Sequence, residues 1–411
     1  MSEAAAQGPD LRVGRLLAIL VVASGLGPLA MNIVLPSLPG MVGEFGAGYG
    51  YVQLVLTLYL VSLAAAQLAY GSLSDGYGRR PVMIAGLLIF LAGSLICALA
   101  WNLPVLLAGR IIQGAGGSVG IVLGRAILRD LFGRDQAASL LGYVTMSMVL
   151  APLLGPAIGG LFEETLGWRA GQAALAVFAA LTLAATWAQM PETNRERGIA
   201  AGLGPLLRAF GFLARIPVFL LYTGILAFTA ATFYAFLGGA PYIVIELMGR
   251  SPGEFGLWAM SIAGGYMIGN FVTGRYAVRV GTRRMIRIGV LVGVAGGFAM
   301  MAAVALGLDH PFWLFATIMV ISFSNGLVIA SAVTSAVSIR TDLAGAAAGL
   351  SGFVQIGFGA LVTVIVGIIQ GDSAMPMATV ITLAAIAAAV CYLLAARHPD
   401  PADLSAANPS G

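Results

Sequence analysis

An all-α polytopic membrane protein of twelve helices in two six-helix halves is the fold this sequence predicts. Three observations predict it. Of 411 residues, 59% are apolar and only 9% charged, against roughly 25% charged in a soluble domain. So few charges cannot clothe a water-facing globule, and the same composition excludes disorder, collagen and coiled coil. The apolar residues fall in long unbroken runs near the ~20 residues a helix needs to cross a bilayer, whereas a membrane β-barrel alternates apolar and polar. The longest polar stretch, 191–215, divides the runs six and six.

The first-half spans are expected at 13–36, 50–71, 82–101, 104–128, 138–162 and 168–189. Arg12 and Arg15 before the first run resemble a signal-peptide flank. Eleven runs follow, however, and the first continues through Asn32 to Pro36, so it reads as a retained helix. Arg79 and Arg80 separate the second and third runs, and Arg125, Arg129 and Arg134 the fourth and fifth. After a linker carrying Glu192, Arg195, Glu196, Arg197, Arg208 and Arg215 come runs at 216–245, 254–278, 286–307, 311–336, 343–370 and 376–396. Arg275, Arg279, Arg283, Arg284 and Arg287 fall between the eighth and ninth, Arg340 before the eleventh, and Arg397 after the last. With the N-terminus placed in the cytoplasm, 18 of the 21 arginines lie inside and only Arg169 and Arg250 outside. That bias fixes an even number of spans and both termini inside, in a bacterial inner membrane. The domains are then residues 1–190, a cytoplasmic linker 191–215, residues 216–397, and a tail 398–411.

Several chemistries are excluded. All 21 basic residues are Arg, so a phosphate loop of the Gly-x4-Gly-Lys-Ser/Thr type, and with it an ATP-driven pump, cannot exist. His310 and His398 lie at or beyond span ends, which leaves an intramembrane hydrolase without its base. Cys97 and Cys391 sit in apolar runs and give neither a disulfide framework nor metal spacing. No metal, cofactor or nucleic acid is expected; the charge of +4 lies in short loops.

A trace of repetition joins the halves. Gly71, Gly78, Arg79 and Arg80 close the second span, and Gly274, Gly281, Arg283 and Arg284 close the eighth. Such repeats suit transporters that rock two halves about a midplane site. In the run Gly71 to Pro81, Gly71 and Gly78 permit close approach and a tight turn. Asp75 can cap or pair with Arg, and Arg79 and Arg80 anchor the turn at an anionic leaflet. The full spacing resembles the signature loop between helices two and three of the major facilitator superfamily. Arg110-Ile-Ile-Gln113-Gly114 resembles that superfamily's Arg-containing fourth helix. A guanidinium there costs at least ~2.5–3.5 kcal/mol on insertion scales, and a cavity-facing role is expected for it. Ala151-Pro152, Gly155-Pro156 and Gly159-Gly160 resemble the antiporter signature of drug–proton exchangers, with Ala151 where the family has Gly. The small residues allow backbone contact between helices, and the prolines bend the axis. The resemblance implies exchange or efflux rather than uptake.

Leu35-Pro36-Ser-Leu-Pro39, Arg125 to Leu131 and Trp168-Arg169 resemble the bicyclomycin/chloramphenicol resistance (Bcr/CflA) exporters. One position departs from that pattern. The subfamily usually carries Asp in the first helix where this chain has Asn32, and an amide cannot carry a proton. Three readings stay open: a natural variant coupled elsewhere, an introduced mimic of the protonated state, or a transporter without proton coupling. No other carboxylate falls clearly at the midplane. Glu246, one turn from Tyr242, is the backup proton site. The proton-coupling and gating set is thus Asn32, Arg110, Asp75 and Glu246. The expected cavity lining is Asn32, Gln53, Tyr59, Arg110, Gln113, Met146, Phe233, Tyr234, Tyr242, Asn270, Asn325 and Gln355. These are mostly neutral polar and aromatic groups, as in pockets for amphipathic ligands, and Met walls adapt to varied ones. The expected function is proton-coupled efflux of neutral drugs such as amphenicols by a monomer in the bilayer. A sugar or metabolite exporter is the alternative.

Overall fold

A computed structural model describes residues 8–132, 134–194 and 203–399. Arg195, Glu196 and Arg197 of the linker, and the tail from residue 400, lie outside the described residues. The described chain is helical, and twelve helices are long and apolar enough to cross a membrane. They are span 1 (Val13–Phe45), span 2 (Tyr49–Tyr77), span 3 (Arg79–Ala98), span 4 (Leu103–Leu131), span 5 (Leu140–Thr165) and span 6 (Trp168–Gln189). The second half holds span 7 (Pro217–Leu247), span 8 (Pro252–Val280), span 9 (Thr282–Ala305), span 10 (Pro311–Ser338), span 11 (Ala344–Ile369) and span 12 (Met375–Ala395).

The count agrees with the sequence, but several boundaries move for physical reasons. Span 2 does not stop at 71. Its helix runs on to Tyr77, so Asp75 sits in its last turn and not in a loop. Gly78 alone makes the turn, with φ 102° and ψ 155°, and Arg79 already opens span 3. Only glycine reaches that backbone region without a Cβ penalty. Gly281 makes the same one-residue joint between spans 8 and 9, with φ 87° and ψ 143°. Gly71, expected to permit close approach, has nothing within 4 Å of where a side chain would stand.

Span 1 ends its regular helix at Asn32. A 3-10 turn at Leu35–Ser37 follows, then a short helix Leu38–Phe45 that composition did not announce. Prolines at 36 and 39 explain the break, since each lacks an N–H for a continuing ladder. Span 4 divides at Ser118. The expected polar linker contains a helix, Leu203–Leu213. Leu213 is fully buried and packs into a cluster with Phe219, Ile286 and Val328 of the second half.

One end of the bundle carries the Gly78 and Gly281 joints and is arginine-rich; the other carries the joints at Gly46 and Gly167. At that second end the halves meet closely. Gln53 Nε2 donates to the Gly238 carbonyl at 2.7 Å, and Tyr49 Oη reaches the same oxygen at 3.0 Å. Thr57 and Thr363 hydroxyls pair at 2.9 Å. The Gly253 N–H donates to Glu164 Oε1 at 2.9 Å. Toward the arginine-rich end, spans 5 and 8 part. Thr145, on the face of span 5 that also carries Met148, Val149 and Pro152, is exposed, and neither Gly142 nor Gly264 has a neighbour within 4 Å of a would-be Cβ. Spans 2 and 11 stay nearer there: a Cβ on Gly349 would stand 3.9 Å from Leu68.

Candidate transport site

Where spans 5 and 8 part, the halves enclose a cavity of about 200 Å³. From the first half its wall takes Asn32, Leu35, Met148, Val149, Pro152 and Pro156. From the second it takes Phe233, Tyr234, Phe255, Tyr266, Ser322, Asn325 and Gln355, with aliphatic residues of spans 7, 8 and 10 between them. Among the described residues, no charged side chain lines it.

Five of the twelve expected lining residues therefore stand on the wall: Asn32, Phe233, Tyr234, Asn325 and Gln355. The other seven do not. Met146 faces outward, and Met148, two positions on, replaces it. Asn270 turns back and donates to its own helix at the Tyr266 carbonyl, 3.0 Å away; Tyr266 itself takes the wall. Gln53 and Tyr242 belong to the closed end, where Tyr242 packs on Tyr49 with ring centres 4.7 Å apart. Glu246 lies beyond them, exposed, in a π-helical turn Ile243–Leu247. It does not reach the cavity.

Arg110, Gln113 and Tyr59 are buried behind the wall, inside the first half. Arg110 is 0% exposed, so snorkelling to the interface is not its solution, and neither is the cavity-facing position expected of it. Its Nε donates to the Val55 carbonyl at 2.9 Å. Its Nη1 donates to the Ala30 carbonyl at 3.1 Å and to Gln113 Oε1 at 2.5 Å. The guanidinium lies 4.1 Å from the centre of the Tyr59 ring, whose hydroxyl donates to Gly27 O at 2.8 Å. Gln113 Nε2 continues to Ser94 Oγ at 2.8 Å and Gln172 Oε1 at 3.1 Å. One cation thus ties spans 1, 2 and 4 directly and spans 3 and 6 through Gln113. Its Nη2 has no partner, and no carboxylate pairs with it among the described residues.

On the wall, Asn32 donates its amide to the Pro28 carbonyl at 2.8 Å. Asn325 pairs with Thr232 at 3.3 Å. The Ser322 hydroxyl is buried with no partner, a group that a bound molecule could satisfy and that sequence reasoning missed. Ser322 stands two residues from Ser324 in the same run and nothing in the sequence separates the two; only the register of span 10 places it on the wall.

Span 5 seats Asn32 through its glycines. A Cβ on Gly155 would stand 2.7 Å from the Asn32 Cβ, and one on Gly159 would overlap the Ile33 carbonyl. Gly160 and Gly256 make the same backbone approaches across to Pro252 and Pro156 between the halves. Pro152 and Pro156 face the cavity. At the arginine-rich end, Arg79 pairs with Asp75 at 2.5 Å and Asp130 at 2.9 Å. Arg80 donates to the Trp187 carbonyl at 2.6 Å.

The Major Facilitator Superfamily model matches residues 20–364. The chain belongs to that superfamily. A chloramphenicol resistance protein of Pseudomonas aeruginosa is 32% identical over 302 residues, 70% of each chain. A bicyclomycin resistance protein homolog of Haemophilus influenzae is 28% identical over 361 residues, covering 87% of this chain and 90% of its own. Both relatives are named for antibiotic resistance, and the chain falls among the bicyclomycin/chloramphenicol type. Among solved structures, a bacterial homolog of the human lysosomal transporter Spinster, inward-facing and unoccupied, superposes with a TM-score of 0.70 at 16% identity. It covers 95% of this chain and 98% of its own, and supports the fold alone.

Proposed function

We propose that this chain exports neutral, amphipathic small molecules of the amphenicol kind by alternating access, as a monomer in a bacterial inner membrane. Both termini and the arginine-rich end face the cytoplasm in this reading, as the 18-to-2 bias favours. The conformation is then sealed outside and parted inside. One observation carries the substrate class. The cavity wall is aromatic and aliphatic with Asn, Gln, Ser and Tyr groups and no charge, and the Ser322 hydroxyl waits unpaired. Such a wall gives a cation no counter-charge and gives a neutral amphiphile both apolar surface and hydrogen bonds. Its ~200 Å³ is below the roughly 300–1,000 Å³ of occupied drug sites, so spans 5 and 8 must part further on loading. The substrate leaves unchanged; no catalytic step is assigned.

Export in exchange for protons needs a group that titrates. Among the described residues no carboxylate stands on the wall, and Asn32 occupies the position where the resemblance expects one. The test is accumulation of labelled chloramphenicol in an efflux-deficient bacterium, with and without a protonophore, for the chain as written and for Asn32→Asp. Protonophore-sensitive export by the Asp form alone supports a site competent for exchange but uncoupled as written. Equal export by the Asn form moves the proton site elsewhere, with Glu246 next. No change with either form ends the amphenicol assignment and leaves sugar or metabolite efflux.

A further inference from the structure

The second half repeats the turn of the first but not its charges. In the first half the start of span 3 is filled by a carboxylate of the same chain. Glu192 accepts from the backbone N–H of Arg79 at 2.9 Å and of Arg80 at 3.3 Å, while Asp75 and Asp130 hold Arg79. At the repeat spacing of 203 residues, Val278 and Val333 replace those two acids, and Arg284 and Arg287 replace Pro81 and Ile84. From residue 255 to 308 there are five arginines and no acid. An open pocket of about 490 Å³ lies there, walled by Gly281, Thr282, Arg283, Arg284, Arg287 and Tyr392 among others. Arg283 is held by backbone carbonyls of Ala396 and His398, which fix the guanidinium without neutralising it. Arg284 and Arg287 are exposed and have no carboxylate partner among the described residues.

We propose that this pocket binds a phosphate group, presented by the headgroup of an anionic phospholipid. Guanidinium forks match phosphate oxygens in pairs, and the span 9 N-terminus adds unspent N–H groups. The apolar continuation favours a lipid over free phosphate. One turn on from Arg284 and Arg287 along the same helical face stand Ile288, 44% exposed, and Leu291, 61% exposed. A headgroup at the arginines would lay its acyl chains along them. The proposal stands independently of the transported substrate.

The test is native mass spectrometry of the purified full chain with phosphatidylglycerol, with phosphatidylcholine, and with inorganic phosphate alone. The expected result is selective retention of phosphatidylglycerol, lowered about 30-fold in Arg284→Gln/Arg287→Gln, at ~1 kcal/mol for each basic residue. The control Arg275→Gln removes a charge outside the pocket and should keep the selectivity; an unaltered melting profile in phosphatidylcholine shows that each variant is folded. Binding of inorganic phosphate by the wild type but not the double variant identifies free phosphate as a sufficient source. Retention unchanged in the double variant, or lost equally in Arg275→Gln, overturns the site.

Discussion

Arg110 carries the greatest consequence per atom. A charge buried without a counter-ion is costly, and here carbonyl oxygens, an amide and an aromatic face carry the stabilisation instead. Removal of the side chain leaves the carbonyls of Val55 and Ala30 and the Gln113 amide short of a donor. Lysine could not replace it, because one ammonium cannot meet three separately directed acceptors and stack on Tyr59. Arg110→Lys should insert in the membrane at normal levels yet lose transport, read as drug accumulation at the uncoded level beside an unchanged surface-expression blot. Wild-type resistance in that variant would remove Arg110 from the mechanism. The sequence made the residue conspicuous, because an arginine inside an apolar run is. It did not show which way the side chain faces. That depended on acceptors from spans 1 and 2, some 55 and 80 positions away, which no local pattern encodes.

At the scale of the helix, span 5 is set by what its glycines leave out. Gly159 admits the Ile33 carbonyl and Gly155 admits Asn32, so the cavity residue is positioned by missing side chains. A methyl at Gly159 meets backbone, which cannot rotate away as a side chain could. Gly159→Ala should cost about 1–3 kcal/mol or more, as overpacking does, seen as a lower melting temperature in detergent; Gly142→Ala, with open space around it, should melt like the wild type. Equal melting of all three would refute the close-packing account. Helix existence was legible here because hydropathy and length suffice for it. Helix ends were less so: the extension of span 2 to Tyr77, the arm Leu38–Phe45 and the docked helix Leu203–Leu213 are set by tertiary packing. Wall membership was legible for Asn32, Phe233, Tyr234, Asn325 and Gln355. It failed for Met146, where two positions along the helix turn a side chain away from the wall residue Met148, and for Asn270, which lies one turn beyond Tyr266 and spends its amide on its own helix.

Across the whole molecule, the two halves grip at one end and part at the other. The grip is made of few polar links. One joins Glu164 of span 5 to the first turn of span 8, at a helix N-terminus where a carboxylate is favoured. Glu164→Ala should loosen that seam, raising the labelling rate of an engineered thiol at Ser251 several-fold while a thiol at Thr145, on the cavity face of span 5, labels more slowly. Unchanged rates at both positions would show that the link does not hold the closed end.

The joints at Gly78 and Gly281 have one residue each, and that has a mechanical meaning. Helices connected by a single residue cannot slide past one another or change their order; each pair can only swing as a bent lever. Arg80 pins the first lever to the end of span 6, and Arg283 pins the second to the chain beyond span 12. The joints are therefore stops and not hinges. A rearrangement of the two halves is displaced to the glycine-lined seams, where backbone slides on backbone with no side chain in the way.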